Sequence, residues 1–475
     1  MSNSTVVTRF APSPTGFMHV GGVRTALYAW AWARKNNSTF ILRIEDTDKA
    51  REVEGSIEHI IESLRWLGIN WDEGVDVGGK HAPYKQSERL DSYVKYAKQL
   101  IEKGYAYPDP YSSQEVAALR LKAEEEGRTF LFRDFRPEVF EEWDGTKPLR
   151  FKVPELKNHT WNDAVRGQLS AGVDALDDFI LIKSDGYPTY NFAHIIDDLE
   201  MGVTHIMRAD EFIASTPKFL SLYEALEIIP PIFVTLPPIL GEGGNKKLGK
   251  RDGAKDILEY RNEGYLPEAM VNFLSLLGWN PGGEQEIMTG EDICKLFSLE
   301  RIHKGGAMFN EEKLLWMNKE HMRKQTQEAQ LNEVKKYMPA TYPESLLERL
   351  LPTIIDRISV YGELSEIESS EFRFFIEQPI PNPEKIVWKD AGKEDAKKNL
   401  SAVKDLLQGT DFSSVESIKS AIMPYAESNG KGNVLWPLRM TLSGQEKSVD
   451  PFTICYVLGL EEVCSRINST LTAFA

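Results

Sequence analysis

Cysteine is scarce in this chain of 475 residues. It occurs at Cys294, Cys455 and Cys464, an odd number with no closely spaced pair. A disulfide framework needs paired cysteines in an oxidising compartment, and a structural zinc site needs several thiolate or imidazole ligands at short spacing. The sequence therefore predicts a protein of a reducing compartment, with no disulfide bonds, no zinc and no metal-ligating residues.

Long apolar runs are also missing. No stretch reaches the ~18 consecutive apolar residues of a membrane span, and the N-terminal Met1-Ser2-Asn3-Ser4-Thr5 carries no basic segment followed by an apolar one. A signal peptide has both of those features. We therefore expect a cytoplasmic protein that does not bind a membrane.

An excess of basic residues is the third feature that the sequence lacks. Lysine and arginine number 56 against 72 aspartates and glutamates, which gives a net charge of -16. This balance excludes a general polyanion-binding protein. A nucleic acid would have to be contacted through local basic patches, because phosphate contacts depend on nearby cations and not on the total charge. The length allows about three domains.

The most informative segment that the chain does contain runs from residue 9 to residue 22. Residues 6–10 read as a short strand, and residues 23–34 as a helix rich in Ala, Leu and Trp. A strand-to-helix loop of an open α/β sheet lies at the edge where ligands bind, and the start of the helix offers free N–H groups to an anion. We therefore interpret the segment as an anion-binding loop.

The residues inside this loop fit that interpretation. Two prolines stiffen it, while Gly16, Gly21 and Gly22 let a ligand approach bare backbone, and His19 between them can donate to phosphate oxygens. Taken alone, the tetrapeptide His-Val-Gly-Gly does not separate this function from an ordinary turn with a surface histidine.

Carboxylates follow the next predicted strand. This strand covers residues 39–44 and ends in Glu45-Asp46-Thr47-Asp48, and the helix after it stops at Gly68. If the two strands are neighbours, the carboxylates lie beside the first loop. Glu45 has two interpretations at this point: it caps the helix, or it contributes a negative charge to a ligand site.

A glycine-rich basic loop occurs much later, over residues 241–253. Such a loop is mobile and can close over an anionic ligand. A run of lysines at a loop tip is also what a plain solvated turn contains. The loop therefore gains its meaning only together with the first one.

Together the two loops resemble the signatures of class I aminoacyl-tRNA synthetases, in the form that glutamyl-tRNA synthetases carry. The segment from Arg9 to Thr25 is similar to the first signature, usually written HIGH, which here reads His19-Val20-Gly21-Gly22. Lys247-Leu248-Gly249-Lys250-Arg251 is similar to the second signature, KMSKS, with Gly249 where the family usually has serine.

The resemblance implies an α/β Rossmann-type class I catalytic core with an inserted α+β acceptor-binding domain, followed by all-α helical domains. The residues agree: a charged helix over 114–126 and strands at 149–153 and 179–183 precede a return to the sheet over 185–208, and the chain is almost wholly helical from residue 267. The implied domains are the first half of the core at 1–104, the acceptor-end-binding insertion at 105–184, the second half of the core at 185–240, the KMSKS loop and stem-contact helical domain at 241–318, and anticodon-binding helical subdomains at 319–376 and 377–475.

The activity implied by the resemblance is that of a glutamate–tRNA ligase. Such an enzyme joins L-glutamate to ATP as glutamyl adenylate, releases pyrophosphate, and transfers the glutamyl group to the 3' end of tRNA(Glu), with tRNA(Gln) as a further acceptor to be tested. ATP and Mg²⁺ are the implied cofactors, and a monomer is the usual state of the family. Where some glutamyl enzymes carry zinc-binding cysteines, this chain has Pro108-Asp109-Pro110-Tyr111.

The resemblance also implies roles for individual residues. His19 and Lys250 are the expected catalytic groups, which donate to phosphate oxygens as negative charge builds on them. The ATP site is expected to comprise Pro12, Thr15, Gly16, His19, Gly21, Gly22, Glu211, Lys247, Lys250 and Arg251, and the glutamate site Arg9, Ala11, Ser13, Glu45, Tyr190, His194 and Arg208. His194 and Phe212 stand where characterised relatives can carry Asn and Trp.

The charges of glutamate give a physical reason for the residues that are expected to bind it. Glutamate has two carboxylates and one ammonium, so its pocket needs two cationic anchors and one anionic anchor. Arg9 and Arg208 are suited to the first need, because a guanidinium binds a carboxylate with two parallel hydrogen bonds, and Glu45 to the second. Which arginine takes which carboxylate stays open.

Several other functions compete with this one. A glutaminyl-tRNA synthetase belongs to the same class and differs in the amino acid that it activates. A short relative that glutamylates a modified tRNA base lacks the C-terminal helices, and a small-molecule nucleotidyltransferase shares a His-x-Gly-His loop but needs no tRNA. A non-catalytic tRNA-binding protein is disfavoured because His19, Lys250, Arg9 and Glu45 are all intact.

Overall fold

The computed structural model of the protein describes residues 5–244, 246–249, 255–389 and 391–474. Within these residues the chain forms two compact units. The first unit runs to Arg261 and resumes over Pro267–Met317, and the second comprises Asn262–Leu266 and the chain from Asn318 onward.

The described strands all belong to the first unit. They are β1 (Val7–Phe10), β2 (Thr39–Leu42), β3 (Glu73–Gly74), β4 (Ala106–Pro108), β5 (Leu149–Phe151), β6 (His159–Asp163), β7 (Gly167–Ala171), β8 (Ile180–Ile182), β9 (His205–Ala209), β10 (Ile232–Leu236), β11 (Ile239–Leu240) and β12 (Ala307–Met308). The central strands β1, β2, β9 and β10 are short and almost entirely buried, including Arg9 of β1 and Arg208 of β9. This is the pattern of strands covered on both faces.

Helices connect these strands and cover the sheet. They are α1 (Val20–Lys35), α2 (Ser56–Trp66), α3 (Leu90–Glu102), α4 (Ser113–Glu125), α5 (Tyr190–Glu200), α6 (Thr216–Ala225), α7 (Ile257–Asn262), α8 (Pro267–Ser275), α9 (Gly290–Leu296) and α10 (Glu311–Lys324), the last of which continues into the second unit.

The main sheet has seven strands in the order β3-β2-β1-β9-β10-β6-β7. Its neighbouring strands are parallel except for the terminal hairpin of β6 and β7. From β1 the chain first builds one side of the sheet with β2 and β3, and later builds the other side with β9 and β10. The strand order therefore switches beside β1, and open sheets bind ligands beyond the carboxyl ends of the strands at such a point.

Helix α1 packs on the centre of this sheet. Its alanines and leucine favour the helix and are buried against the strands, where the Thr8 hydroxyl of β1 donates to the Ala29 carbonyl at 2.8 Å. His19 caps its first turn, and Arg34 and Lys35 in its last turn complement the helix dipole. The first signature loop therefore leads into a helix whose start is fixed by the sheet.

The segment between α3 and α5 contributes to two sheets. Strands β4, β5 and β8 form an antiparallel sheet of three strands. Strands β6 and β7 instead extend the main sheet beyond β10. Asp163 at the end of β6 holds this junction, since its carboxylate accepts from the N–H and the hydroxyl of Thr235 at 3.0 and 2.6 Å.

The return to the main sheet differs from the prediction. The sequence predicts sheet over 185–208, but Tyr190–Glu200 form the helix α5, and the strand β9 is confined to His205–Ala209. The aromatic and β-branched residues of this stretch resemble those of a strand. The spacing of Phe192, Ile195 and Ile196, which are all buried, is that of a helix.

The described regular elements of the second unit are helical. The helices of at least one α turn that follow α10 are α11 (Gln327–Tyr337), α12 (Glu344–Arg357), α13 (Leu364–Ile367), α14 (Pro383–Ile386), α15 (Lys393–Gln408), α16 (Val415–Asn429), α17 (Lys431–Ser443), α18 (Pro451–Leu458) and α19 (Leu460–Ala473). The helices predicted at 328–337, 344–361, 393–408 and 414–428 correspond to α11, α12, α15 and α16, the second of which ends earlier, at Arg357. Among the described residues, no helix combines the length and the hydrophobicity that crossing a membrane requires.

Candidate active site

A cavity of about 520 Å³ lies at the carboxyl ends of the central strands. Its wall includes Arg9 and Phe10 at the end of β1, Glu45 just beyond β2, and Arg208 and Ala209 at the end of β9. The start of α1 and the residues that follow β10 complete the wall. The cavity thus occupies the switch point of the sheet, where the topology favours a ligand site.

Most of the residues predicted for the site share this cavity. Those on its wall are Arg9, Ala11, Pro12, Ser13, His19, Gly21, Gly22, Glu45, Tyr190, Arg208, Glu211 and Lys247.

The other predicted residues lie elsewhere. Thr15 is exposed and Gly16 lies farther along the loop, where its carbonyl accepts from the Ser56 hydroxyl at 2.9 Å, so neither is on the cavity wall. His194 is buried behind the wall. Lys250 and Arg251 fall outside the described residues, and their roles stay predictions.

His19 lies at the point where the first loop becomes α1. Its backbone is extended (φ -124°, ψ 171°), and its Nδ1 accepts from the Gly21 N–H at 3.1 Å. A neutral imidazole that accepts at Nδ1 carries its proton on Nε2, which is therefore assigned as a donor. A side chain at Gly21 would press on this ring, since an added Cβ would lie 3.0 Å from His19 Cε1. A donor beside a helix N-terminus is a favourable arrangement for an anion.

The second loop meets the first at this cavity. Residues 247–249 lie on the cavity wall. Farther along, Asp256 pairs with His19 in an antiparallel bridge, and the Ile257 N–H donates to the Met18 carbonyl at 3.0 Å. Two segments that are far apart in the sequence therefore contribute to one wall.

Lys247 and Glu211, both predicted for the nucleotide site, form an ion pair at the cavity. Their side chains are 52% and 58% exposed, and an ion pair with that exposure contributes little to stability. An incoming phosphate can therefore replace Glu211 as the partner of the Lys247 ammonium at small cost.

A chain of buried charges supports another part of the wall. Arg9 donates from Nε and Nη2 to the two carboxylate oxygens of Asp198 at 3.1 and 3.4 Å. Arg43 donates to Asp198 at 2.7 Å and to Glu45 at 2.9 Å. None of the four side chains is more than 6% exposed. We call Arg9, Asp198, Arg43 and Glu45 the charge chain, because positive and negative groups alternate along it.

The two carboxylates of the charge chain depend on its guanidinium groups to stay ionised. Burial raises the pKa of Asp198, but Arg9 and Arg43 outweigh it and bring the pKa down to about 2. Burial raises the pKa of Glu45 above its ordinary value, and Arg43 and Arg9 act against that rise. Glu45 is therefore the more easily protonated of the two.

Arg208 differs from the arginines of the charge chain because it is not neutralised. It is 6% exposed and donates from Nη2 to the Thr216 hydroxyl at 2.8 Å. Its Nε and Nη1 have no hydrogen-bond partner among the described residues, and aromatic rings lie 4.8 to 5.7 Å from its guanidinium carbon. A buried guanidinium with vacant donors is costly, so a cavity that contains one favours an anionic ligand.

Tyr190 stands on the cavity wall with His194 behind it. The two rings stack at 4.6 Å with an interplanar angle of 14°. His194 Nδ1 lies 2.6 Å from the Tyr190 carbonyl, and burial lowers the pKa of His194 to about 3. At physiological pH His194 is therefore a neutral ring that supports Tyr190 from behind.

Sequence reasoning missed Arg24, Arg43 and Asp198 as parts of this site. Arg24 lies on the cavity wall, is 3% exposed and donates to the carbonyls of Pro237 and Leu277. The available signal was a charge inside an apolar run: Arg43 directly follows Phe-Ile-Leu, and Asp198 follows Ile-Ile-Asp. A charged residue in such a position has to find a buried partner.

The sequence predicts no metal-ligating residues, and the relevant side chains are the cysteines and the acidic residues. Cys294, Cys455 and Cys464 are free thiols. Asp109, in the segment where some relatives carry cysteines, forms an ion pair with Arg150. The described part of the chain contains no group of three or more His, Cys, Asp or Glu side chains that could hold a metal ion.

The protein families that the chain matches agree with this geometry. Residues 5–316 match the catalytic domain of class I tRNA synthetases (E and Q), and residues 320–471 match an anticodon-binding domain. The sheet with its cavity at the switch point and the two loops that meet there are thus those of a class I tRNA synthetase.

Individual relatives show which family of this class the chain belongs to. Glutamate–tRNA ligases of Carboxydothermus hydrogenoformans and Desulforamulus reducens are 40% and 39% identical to the chain, over 97% and 98% of its length and 99% of theirs. The crystal structure of a glutamate tRNA ligase from Elizabethkingia meningosepticum in complex with its amino acid has a TM-score of 0.89 at 35% identity, with 99% of this chain and 100% of that one covered. The chain belongs to the glutamate–tRNA ligase family.

The neutral state of His194 can be tested through the pH dependence of stability. Because burial lowers its pKa to about 3 in the folded protein, the unfolded chain, with a pKa of about 6.5, binds the proton more readily. Acid therefore favours unfolding between these values, by up to about 3 kcal/mol near pH 4. In urea titrations, we expect His194→Asn to lose less stability than the unaltered protein between about pH 7 and pH 4.

The control is the exposed His303, because His303→Asn should lose as much stability in acid as the unaltered protein does. An equal loss of stability in His194→Asn would contradict a neutral buried ring.

Proposed function

We propose that this glutamate–tRNA ligase forms glutamyl adenylate from L-glutamate and ATP in the cavity and then transfers the glutamyl group to the 3' end of tRNA(Glu). The observation that carries the choice of amino acid is Arg208, a buried guanidinium with vacant donors. It shares a wall with the anion-binding start of α1 and with the negative Glu45. A dicarboxylic amino acid next to a triphosphate satisfies all three features.

The phosphates of ATP are proposed to bind where the two loops meet. His19 donates from Nε2 at the start of α1, and Lys247 exchanges Glu211 for a phosphate oxygen. Lys250, which lies outside the described residues, is proposed to donate as charge builds on the phosphates. Attack of the amino-acid carboxylate on the α-phosphorus needs no covalent help from the protein, so alignment and charge stabilisation provide the rate. Bound together with ATP, Mg²⁺ would supply positive charge against the leaving pyrophosphate.

Glutamate is proposed to bind between the charge chain and Arg208. Its ammonium donates to Glu45, and its carboxylates accept from Arg9 and Arg208, with Ser13 and Tyr190 as hydroxyl donors. Glutamine would place an amide NH₂ where a carboxylate oxygen is required and leave a buried guanidinium unpaired, at a cost of about 1–3 kcal/mol or more. Pockets built on such contacts reject an analogue that lacks them by about 10⁴-fold.

Transfer to tRNA is proposed to use both units. Residues 105–184 hold the acceptor end, and the helical residues 319–475 read the anticodon. The match of residues 320–471 to an anticodon-binding domain supports the second assignment. Because the protein has a net charge of -16, the contacts must come from local basic patches, and charging should weaken as salt is added.

The direct test is charging of purified tRNA(Glu) and tRNA(Gln) with labelled glutamate or glutamine. We expect ATP-dependent attachment of glutamate to tRNA(Glu) and no attachment of glutamine. Attachment of glutamate to tRNA(Gln) as well would define a ligase that charges both tRNAs. Attachment of glutamine would overturn the proposed amino acid, and ATP turnover that needs no tRNA would point to a small-molecule nucleotidyltransferase.

Removal of either glutamate-binding arginine should affect glutamate far more than ATP. For Arg9→Ala and Arg208→Gln we expect the KM for glutamate to rise by about 100-fold or more, because a charge-assisted contact is lost from a desolvated site. The KM for ATP should change much less. Arg34→Ala, which removes a half-buried arginine that is paired with Asp72 and is not on the cavity wall, is the control and should leave both constants unchanged. Equal effects of Arg9→Ala on the two substrates would contradict the assignment.

Lys250 is proposed to act on the developing charge and not on substrate affinity. Lys250→Ala should therefore lower the kcat of adenylate formation by about 100-fold and leave the binding of glutamate little changed. Lys246→Ala provides the control, since Lys246 is an exposed lysine of the same loop that is not on the cavity wall. Stopped-flow measurement of adenylate formation, together with calorimetry of glutamate binding, separates the two effects; weaker binding at an unchanged rate would contradict the role.

A further inference from the structure

Two members of the charge chain face the cavity and two do not. Arg9 and Glu45 lie on its wall, whereas Arg43 and Asp198 are behind it. Arg43 is completely buried and Asp198 is 2% exposed. Neither of the hidden residues can touch a ligand without rearrangement, so any effect that they have on the ligand passes through the other two.

Arg43 is the centre of this arrangement. Its Nη1 donates to Asp198 at 2.7 Å, its Nη2 donates to Glu45 at 2.9 Å, and its Nε lies 3.6 Å from Asp197. One buried guanidinium thus neutralises parts of three carboxylates. Asp197 does not depend on it alone, because Arg89 donates to Asp197 at 2.7 Å.

Arg9 and Glu45 have opposite charges and would attract each other across the cavity. No direct ion pair joins them in the described structure; each is held by a hidden partner, Arg9 by Asp198 and Glu45 by Arg43. The hidden partners are themselves paired with each other. Arg9 and Glu45 are therefore each held by a different partner behind the wall, while both line the cavity.

We infer that Arg43 is a positioning residue for the amino acid, which holds Glu45 and, through Asp198, Arg9 at the separation that an amino acid with both charges requires. The inference rests on the proposed function for the identity of that amino acid. Arg43 fixes the Glu45 side of the site directly, and Asp198 connects Arg43 to the Arg9 side. Without Arg43, Glu45 loses its hydrogen bond and its nearest positive charge, and it becomes a buried carboxylate that binds a proton in place of an ammonium.

This role predicts a dependence on pH that a purely structural role does not. The charged and titratable groups around Glu45 are Arg43 on its own segment, Arg9 on β1, and Asp198 and Tyr190 on α5. Glu45 also lines a second cavity together with Asp48, Arg51 and Lys183. Of these, Arg43 and Arg9 favour the ionised carboxylate, and Asp198 opposes it. Loss of Arg43 therefore raises the pKa of Glu45, while loss of the charge on Asp198 lowers it.

The test compares Arg43→Gln, Arg43→Lys and Asp198→Asn in charging assays with tRNA(Glu), at pH values from about 6 to 9. For Arg43→Gln we expect the KM for glutamate to rise by about 100-fold at pH 7 and to recover as pH rises, by up to tenfold per unit, because Glu45 ionises again. Arg43→Lys should restore part of the affinity, since it keeps the charge. Asp198→Asn should raise the KM for glutamate without the recovery at high pH. In all three the KM for ATP should change by less than about threefold.

Arg89→Lys is the matched control. Arg89 is a buried arginine that pairs with Asp197 and Glu200 but contacts neither Asp198 nor Glu45. This variant should leave the KM for glutamate and its pH dependence unchanged. Circular dichroism establishes that each variant is folded. If Arg43→Gln does not fold, Arg43→Lys and Asp198→Asn decide the question, because each should raise the KM for glutamate and leave the KM for ATP within about threefold.

The outcomes separate the inference from the proposed function. If the unaltered protein charges no tRNA with glutamate, the proposed function and the inference both fail. If it does so, and the Arg43 variants keep the KM for glutamate or lose affinity for glutamate and ATP equally at all pH values, the positioning role alone is overturned.

Discussion

The backbone pairing of His19 with Asp256 is the contact on which the proposed chemistry depends, because it joins two segments that are distant in the sequence. The first loop leaves the main sheet at the carboxyl end of β1, and the second follows the short strand β11, which is separated from the carboxyl end of β10 by two residues. Helix α2 reinforces it: His59 Nε2 lies 2.8 Å from Asp256, and His59 Nδ1 accepts from the Met18 N–H at 3.3 Å. The residues after the second loop are thus held against the first loop by a third element that belongs to neither signature.

The electrostatics of the cavity depend on which of its buried arginines are paired with carboxylates. Arg9 and Arg43 are each neutralised by carboxylates. These ion pairs fix the positions of both side chains and offset the free-energy cost of burying their charges. In the described part of the chain Arg208 forms no ion pair, and two of its buried nitrogens have no hydrogen-bond partner, which is why it is proposed to bind an anionic ligand. An acidic protein can in this way keep a local preference for a negative amino acid, because short-range contacts and not the net charge decide what binds.

How much of the fold and of the site could be predicted from the sequence depends on how far apart in the chain the interacting residues are. The loop around His19 has local signals in its glycines, its prolines and the helix start, whereas the loop around Lys247 was interpreted only through its resemblance to the second signature. Glu45 was expected beside the first loop on the condition that the first two strands are neighbours, and Arg208 was expected in the site because of the family resemblance. The partners Arg43 and Asp198 were not predictable, since nothing in the sequence tells which buried charges pair across the fold.

The helix over Tyr190–Glu200 and the position of His194 show the same limit in another form. The stretch contains residues that favour strands, and this composition outweighed the helical spacing of its buried residues Phe192, Ile195 and Ile196 in the prediction. His194 was assigned to the ligand because it stands at a position of the family where relatives can carry Asn. In the structure Tyr190 and His194 are four residues apart on one face of α5, where their rings stack, and only Tyr190 lies on the cavity wall.

The hairpin of β6 and β7 has a consequence for how the inserted segment moves. Its strands belong to the main sheet, and Asp163 ties them to Thr235, so the segment between α3 and α5 is fastened to the main sheet at β10. Arg166 adds a further attachment by donating to the Lys304 carbonyl at 2.6 Å. An insertion held in this way cannot swing as a free flap. Its excision would strip the catalytic sheet of two edge strands and expose the flank of β10, so a shortened enzyme would need a new edge before it could fold.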